Sequence, residues 1–311
     1  MRIEKYQQHH KKEWDNFVDQ AKNSHFLFMR DFMEYHADKF TDHSLLCFNK
    51  KDQLLALLPA NVDQQTLHSH QGLTFGGFIV SDEMTTKTML EIFKNLLNYM
   101  RSVSINKMVY KCIPAIYHQK PSEEDLYALF SNEARLIRRD VSSTILIEQN
   151  SHYSKSRKWG INKAKSSGLI IKELSDYGQF WSILEEVLRI NHQVKPVHSL
   201  QEIEYLARCF PKNIKLFGAF KEDQLLAGTV LFENQMVAHT QYMANSTVGR
   251  ECRALDLLID HLITEIYPNK KYFDFGISTE SNGKTLNEGL ITQKEEFGAY
   301  AVMHDFYELK V

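Results

Sequence analysis

A repeated segment constrains the fold of this chain more than any other feature. Lys50-Lys51-Asp52-Gln53-Leu54-Leu55-Ala56 recurs as Lys221-Glu222-Asp223-Gln224-Leu225-Leu226-Ala227, at an offset of 223 − 52 = 171 residues. In both copies an apolar segment precedes a charged reversal and another follows it, which predicts a β-hairpin. The 311 residues are enough for two units of roughly 150 residues, each with its own core. A duplicated unit is therefore favoured over one large sheet.

The elements predicted around the two hairpins follow the same order in both halves. A capping box at Ser199 and Glu202 marks a helix start in the second half. The second half reads strand 169–173, helices 176–194 and 199 onward, strands 214–220, 224–232 and 236–244, helix 253–266, strand 272–275, helix 286–296 and strand 300–308. The first half reads strand 2–6, helices 11–21 and 29–39, strands 44–49, 54–61 and 65–70, helix 86–100, strand 107–111, helix 122–133 and strand 143–147. We therefore expect α/β (α+β) domains at 1–148 and 149–311.

Composition excludes several classes of protein. The chain has 37 basic and 39 acidic residues, so its net charge of −2 gives no general basis for binding DNA. No apolar run approaches the roughly 20 residues of a membrane span, and the charged N-terminus is unlike a secretory signal. The four cysteines are scattered, which fits a reducing compartment. Alternation along the strand predicted at 65–70 places the rings of His68 and His70 on one face, but no third ligand follows at a diagnostic spacing, so no metal is expected. The predicted location is cytoplasmic, and the oligomeric state stays open.

The closing segment resembles a known family. Tyr272-Phe273-Asp274-Phe275-Gly276-Ile277-Ser278 is followed by Asn282-Gly283, Asn287-Glu288-Gly289-Leu290 and Lys294-Glu295-Glu296-Phe297-Gly298. This resembles the end of the FemAB family of bridge-peptide ligases, where a strand ending in Asp-x-Gly precedes a helix with Phe-Lys-x-Gly-Phe-Gly or a variant. Gln293 and Glu296 depart from that pattern. The segment from Arg157 to Lys165, with Gly168, is similar to the basic helix that opens the family's second domain, and the element order resembles the GNAT acyltransferase fold.

The resemblance implies two tandem GNAT-like (acyl-CoA N-acyltransferase) domains, each a mixed central sheet flanked by helices, with most of the site in the second. It implies an acyl- or aminoacyltransferase that moves an activated acyl group to a substrate amine. The co-substrate would be acyl-CoA or aminoacyl-tRNA, with no tightly bound cofactor and with a small-molecule or cell-wall-precursor-like acceptor. The alternatives are an acyl-CoA-dependent N-acetyltransferase and a non-catalytic relative that binds a nucleotide-linked or tRNA ligand.

Three residues are candidates for catalysis. By resemblance, Lys294 matches the family lysine that approaches the acyl donor or the acceptor phosphate. Asp274, near the end of its strand, is suited to orient or deprotonate an amine. His239 is a candidate base because histidine titrates near neutral pH. Their ordinary structural interpretations are a solvated helix lysine, an aspartate that ties down a turn, and one more of 14 histidines.

Further polar residues are candidates for binding the acceptor. Ser278, Glu280 and Asn287 belong to a polar loop between strand and helix, and His192, Lys195 and His198 belong to a connection between two helices. Simple alternation places His239 and Gln241 on one strand face and Thr240 and Tyr242 on the other, and one pair would line the cleft. All of these residues would also serve as ordinary turn, cap and loop residues.

Two basic segments are candidates for binding the donor. Gly249, Arg250 and Arg253 lie in a loop predicted at 245–253, although the glycine spacing departs from the acyl-CoA pattern Q/R-x-x-G-x-G/A. The stretch 151–172 contains no acidic residue and includes Arg157, Lys158 and Lys163, with Trp159 beside them. Such a face suits the phosphates of tRNA or of a nucleotide, and a solvated basic surface is the alternative.

Overall fold

The computed structural model of the chain describes residues 1–149 and 152–311, apart from the side chains at positions 149, 191 and 192. The strands are β1 (Arg2–Lys5), β2 (Thr41–Asp42), β3 (Leu45–Phe48), β4 (Leu54–Leu58), β5 (Asn61–Asp63), β6 (Thr66–His68), β7 (Ile79–Val80), β8 (Lys107–Lys111), β9 (Arg135–Leu146), β10 (Ile170–Leu174), β11 (Ile214–Lys221), β12 (Gln224–Glu233), β13 (Val237–Asn245), β14 (Tyr272–Ile277), β15 (Thr279–Glu280), β16 (Thr285–Leu286) and β17 (Tyr300–Lys310). The helices are α1 (Lys11–Gln20), α2 (Arg30–Met33), α3 (Thr86–Ser102), α4 (Glu124–Ser131), α5 (Lys155–Ser166), α6 (Gly178–His192), α7 (Leu200–Cys209), α8 (Thr247–Cys252), α9 (Ala254–His261) and α10 (Glu288–Glu295).

The chain folds into two compact units. The first contains residues 1–140, 279–285 and 303–311, and the second contains residues 141–278 and 286–302. The end of the chain therefore contributes to the first unit as well as the second. This division groups residues by compactness, so the boundary between repeats expected after residue 148 stays a prediction.

The first unit holds two groups of strands. One is ordered β1-β3-β4-β7, and the other runs β17-β8-β6-β5-β2, with β6 and β8 parallel. Helix α3 buries Met89, Ile92, Phe93, Leu96 and Met100, the apolar positions of an amphipathic helix. The same core includes Leu309, near the end of the chain.

The second unit holds strands in the order β10-β11-β12-β13-β14-β9. Neighbours are antiparallel except β13 and β14, which are parallel. These two pair only at Val237–Tyr272, Ala238–Phe273 and His239–Asp274, although both strands continue beyond. They therefore part after His239 and Asp274. Helix α9 covers the sheet with an almost wholly buried apolar sequence.

Both repeated segments form β-hairpins, as predicted, with different turns. In the second copy Lys221 pairs with Gln224, so Glu222 and Asp223 form a two-residue turn in which Glu222 has φ 54°. In the first copy the loop is one residue longer, and Asp52 has φ 58°. The shared sequence therefore specifies a hairpin in both places, although the two loops differ in length. Each hairpin also has a β-bulge close to the turn.

Several predicted elements need correction. The loop predicted at 245–253 contains helix α8, because the Ser246 hydroxyl caps its first turn by accepting from the Gly249 amide. The predicted helix 29–39 is helix α2 followed by a 3-10 turn at Glu34–His36. Strand β9 is twelve residues long and begins well before residue 143. His70 has φ 63° and follows strand β6, so it does not share a strand face with His68.

No helix in the part of the chain that the structure describes has the length and apolar character needed to cross a membrane. Among the same described residues, no group of three or more His, Cys, Asp and Glu side chains is arranged to hold a metal ion.

Candidate active site in the second unit

A row of side chains crosses four strands at the point where β13 and β14 part. His239 on β13 is opposite Phe232 on β12 and Asp274 on β14, and Asp274 is opposite Thr144 on β9. Residues directly opposite one another in a sheet project to the same face. The register therefore brings a histidine and an aspartate together, although 35 residues separate them in the chain.

Asp274 is the centre of this row. It is fully buried, and its Oδ1 accepts hydrogen bonds from Ser142 Oγ and Thr144 Oγ1, both at 2.6 Å. Its Oδ2 lies 2.7 Å from His239 Nδ1. A buried carboxylate is stable only where its oxygens have donors, and these contacts supply them. Asp274 therefore orients the imidazole ring, so that Nδ1 carries a proton and Nε2 is the basic nitrogen.

A glycine allows this close packing. Gly276 has φ 76°, in the left-handed region, and a side chain there would place a Cβ 3.1 Å from His239 Cε1. The Asp-x-Gly sequence thus has a physical explanation, because the aspartate holds the ring and the glycine leaves room for it.

Lys294 is buried at the end of the same strand. Only 3% of the residue is exposed, and its Nζ donates to Gly276 O and Ile277 O at 2.8 Å and to Ser278 Oγ at 2.9 Å. Burial lowers the pKa of Lys294 to about 8, and nearby Asp274 opposes that shift. An ammonium group has three protons, and these three acceptors use them all. In this geometry Lys294 fixes the chain at 276–278, and a direct role in catalysis stays a prediction.

A bulge in β13 changes which residues share a face. Val230 pairs with Tyr242 and Leu231 pairs with Thr240, which leaves Gln241 without a position opposite. Tyr242 therefore lies on the His239 face, and the expectation that it shares a face with Thr240 is wrong. The expectation that Gln241 shares the face of His239 stays a prediction. Simple alternation fails here because a bulge inserts one extra residue.

An aromatic cluster lies on this face. Tyr242 Oη is 2.6 Å from His198 Nδ1, and its ring packs edge-on against Trp181 at 5.2 Å between centroids. Burial raises the pKa of Tyr242. His198 is buried, whereas Lys195 is exposed, and the side chain of His192 lies outside the described residues. Of the three candidates in this connection, the structure brings His198 to the cluster.

The loop candidates have separate positions. Ser278 is buried, and its backbone bonds with Val141 and Asn287 in addition to the contact with Lys294. Asn287 caps helix α10 by accepting from the Leu290 amide at 3.0 Å. Glu280 is exposed and belongs to the first unit. The structure thus joins Ser278 to the row through Lys294 and gives Asn287 a capping role.

A cleft of about 540 Å³ opens beside the ends of β13 and α10. Its lining includes Asn245, Arg250, Arg253, Thr292 and Gln293. Arg250 is exposed and Arg253 is half-buried, with the left-handed φ of 61° at the junction of α8 and α9. Gly249 is buried, and its packing leaves no room for a side chain, because a Cβ there would lie 2.2 Å from Asn245 Oδ1. Of the predicted donor residues of this segment, Arg250 and Arg253 line the cleft, and Gly249 packs against Asn245 beside it.

Arg157 occupies the inner wall of this cleft. It is buried, pairs with Asp256, lies 3.0 Å from Glu296 Oε2 and stacks over Phe297. Burial raises the pKa of Asp256 although Arg157 opposes the shift. The arginine thus neutralises two carboxylates, whereas Lys158 and Lys163 on the same helix are exposed. Phosphate binding by Arg157, Lys158 and Lys163 stays a prediction.

Four of these side chains were absent from the predictions: Ser142, Thr144, Trp181 and Asp256. The sequence could have indicated Ser142 and Thr144, because polar residues on the face of a strand that enters a core need hydrogen-bond partners. Asp256 carried the same kind of signal, because a carboxylate in a buried apolar helix needs a partner, whereas Trp181 is an ordinary residue of an amphipathic helix and carried none.

Comparison with known proteins supports the fold. No family model matches the chain, and no curated protein matches it. Among solved structures, FemX superposes with a TM-score of 0.71 at 10% identity, over 100% of this chain and 98% of that one. L-PGS from Bacillus licheniformis gives 0.64 at 11% identity, over 96% and 91% of the two chains. A tandem GNAT protein from the clavulanic acid biosynthesis pathway gives 0.51 at 10% identity, over 99% and 98%.

At these identities a likeness between structures is evidence of fold. These solved structures superpose on the two α/β units of the chain over nearly their whole lengths. The chain therefore has the tandem GNAT fold, and the predicted resemblance to the FemAB family and the GNAT superfamily is confirmed at the level of the fold.

Proposed function

We propose that the second unit transfers an activated acyl or aminoacyl group to a substrate amine, with His239 as the base. The observation that carries this proposal is the pair of His239 and Asp274 at the point where β13 and β14 part. Beyond His239 the backbone amides of β13 no longer pair with β14, and amide donors beside a base are what acyl transfer requires for its oxyanion.

The chemistry follows from the arrangement. An amine arrives largely as an ammonium ion and must lose a proton before its lone pair attacks a carbonyl carbon. His239 Nε2 accepts that proton while Asp274 stabilises the resulting imidazolium through Nδ1. The nitrogen bonds to the carbonyl carbon, and the tetrahedral intermediate collapses as the bond to the donor's sulfur or oxygen breaks. The leaving group takes up the second proton that the nitrogen loses, and His239 returns the first to solvent.

Lys294 has a positioning role in this proposal. Its contacts with Gly276 O, Ile277 O and Ser278 Oγ hold the chain directly after Asp274. Because Gly276 packs against His239, a shift of this segment would move the ring. The lysine thus acts on the reaction through the histidine.

The donor would occupy the cleft that contains Arg250 and Arg253. Both proposed co-substrates, acyl-CoA and aminoacyl-tRNA, carry phosphates, which arginine binds well. The acceptor would approach the His198, Tyr242 and Trp181 cluster, on the face that His239 shares. A small molecule or a cell-wall-precursor-like amine is the proposed class of acceptor, and the likeness to FemX supports the second.

The test measures transfer from each donor. Purified protein is incubated with acetyl-CoA and a panel of amines while release of the CoA thiol is followed, and with radiolabelled aminoacyl-tRNA and the same amines while transfer of the label is counted. We expect His239→Gln and Asp274→Asn to lower turnover at least ~100-fold, the usual contribution of a general base. His152→Gln, which changes an exposed histidine of the same unit, is the matched control.

Two results would count against the proposal. Equal turnover in His239→Gln and the unaltered protein would remove the histidine from the chemistry. Saturable binding of a donor without transfer to any amine would instead favour the non-catalytic relative.

A further inference from the structure

We propose that Trp159 is a stacking platform for a nucleobase of the acyl donor, with Arg253 and Lys163 beside it. The proposal rests on the proposed function and specifies its donor as a molecule that carries a nucleotide. Both acyl-CoA and the 3′ end of a tRNA satisfy that description, because both carry adenosine.

Trp159 differs from the other tryptophans of the chain. Trp14 and Trp181 are almost fully buried, whereas 56% of Trp159 is exposed. An indole left in water forgoes the large hydrophobic gain of burial. Exposed aromatic rings on a positively charged surface are the usual platforms on which nucleic-acid bases stack.

Two cations lie over the Trp159 ring, and 56% of the residue is exposed with them in place. Lys163 Nζ is 5.2 Å and Arg253 Cζ is 5.4 Å from the ring centroid. Helix α5, which carries Trp159, contains no acidic residue. Two cations at the ring suit a base that is followed along its chain by phosphates, although Arg253 also lies 3.6 Å from Asp256 Oδ2.

The packing of α5 on α9 determines where the ring lies. At Gly160, the next residue, a Cβ would be 2.2 Å from Asp256 Oδ2 and 3.5 Å from Arg253 Cδ. Only a residue without a side chain permits this approach. The contact holds Trp159 beside Arg253, whose guanidinium also lines the cleft.

The cleft supplies the other parts of a nucleotide site. Arg250 and Arg253 offer guanidinium donors for phosphates. Asn245 Oδ1 is buried at the same cleft, without a hydrogen-bond partner among the described residues. A buried acceptor of this kind fits a hydroxyl or amine donor of a ligand. Arg253 joins the two regions, so phosphates in the cleft would bring their nucleoside to Trp159.

Calorimetric and fluorescence titrations of the protein of residues 1–311 test this inference. The probes are CoA, an RNA hairpin ending in CCA, the same hairpin without its terminal adenosine, and inorganic pyrophosphate, which has no base. We expect Trp159→Ala to weaken binding of CoA or of the CCA hairpin roughly 5- to 100-fold. Trp159→Phe should retain most of the affinity, and pyrophosphate should bind equally to Trp159→Ala and the unaltered protein.

Fluorescence adds a signal that a structural role would not produce. A stacked base should quench the indole of Trp159, whereas pyrophosphate should not. In Trp159→Phe the quenching should disappear while the affinity remains. Phe130→Ala, which removes a side chain that is 77% exposed in the first unit, is the matched control and should bind as the unaltered protein does.

The outcomes separate this inference from the proposed function. Quenching by CoA alone assigns a thioester donor, and quenching that needs the terminal adenosine of the hairpin assigns tRNA. Equal affinities of Trp159→Ala and the unaltered protein for both probes, or no binding of either, would overturn the inference. Binding that depends on Trp159 without transfer to any amine would leave the inference in place and contradict only the proposed function.

Discussion

At the scale of single residues, the site contains two buried charged groups, Asp274 and Lys294, whose burial affects the stability of the fold differently. Asp274 has a donor for each oxygen, so its burial is matched by hydrogen bonds. Lys294 has three acceptors, yet burial still lowers its pKa to about 8, from an ordinary value of 10.5. A lysine whose pKa falls on folding makes the folded protein less stable wherever the amine is charged.

This cost predicts a pH dependence of stability. The unfolded chain binds more protons at Lys294 than the folded chain between pH 8 and 10.5, so the contribution of Lys294 to stability rises with pH in that window. Relative to Lys294→Met, the free energy of unfolding of the unaltered protein should rise by about 2.5 kcal/mol between pH 7 and pH 10. Urea unfolding at several pH values measures this difference.

The matched control for this experiment is Lys221→Met, at the exposed end of the hairpin strand β11. A free energy difference between Lys294→Met and the unaltered protein that stays constant from pH 7 to pH 10 would contradict the assignment of Lys294 as a buried amine with a lowered pKa.

At the scale of elements, two departures from regular geometry position the site. The bulge at Gln241 brings Tyr242 to the His239 face, and the close approach of α5 to α9 brings Trp159 beside Arg253. Neither has an unambiguous sequence signature. The close approach of α5 to α9 is the easier of the two to suspect from the sequence. A glycine inside a helix, here Gly160, costs about 1 kcal/mol relative to alanine and so usually has a packing reason.

The contact at Gly160 predicts the sign of a stability change. In an ordinary helix, replacing glycine with alanine stabilises the protein. Here the new methyl group would collide with Asp256 Oδ2, which Arg157 holds through its other oxygen. We expect Gly160→Ala to destabilise the protein by about 1–3 kcal/mol, the usual cost of overpacking. Thermal unfolding checks this expectation.

Gly289 offers the control for Gly160→Ala. It also lies in a helix, and a Cβ there would meet its nearest atom at 3.8 Å, an ordinary contact distance. Gly289→Ala should therefore leave the melting temperature unchanged or raise it slightly. If Gly160→Ala were as stable as Gly289→Ala, the packing of α5 on α9 would be looser than described.

At the scale of the whole molecule, the first unit is completed by the end of the chain. Residues 303–311 belong to it, β17 pairs with β8 from Phe306 to Lys310, and Leu309 is buried in its core. A fragment cut at the predicted boundary, 1–148, would lack this strand and leave apolar surface exposed.

A peptide experiment tests this completion. We expect the melting temperature of fragment 1–148 to rise on addition of a synthetic peptide of residues 300–311, because a ligand that binds the folded state stabilises it. The same peptide with Leu309→Asp is the control and should have little effect. Fragment 1–148 melting at the same temperature with and without the first peptide would show that the strand is dispensable.

The order of elements could be predicted because it depends on local signals. Hydrophobic periodicity, the hairpin repeat and the capping box at Ser199 act within a few residues, and the structure has those elements within a few residues of their predicted bounds. The errors occur where a weaker local signal competes, as at helix α8. Its six residues are too few for a periodic pattern, and the Ser246 cap alone marks its start.

The sequence by itself determined the two α/β units and the identity of the candidate residues Asp274, His239 and Lys294, because patterns of residue type are local. Only the tertiary structure decided that Asp274 meets His239, that Lys294 is buried among carbonyl groups, and that Tyr242 shares the face of His239. Those relations depend on strand register, a bulge and the parting of two parallel strands. Register is set by packing between segments far apart in the chain, and no local pattern contains it.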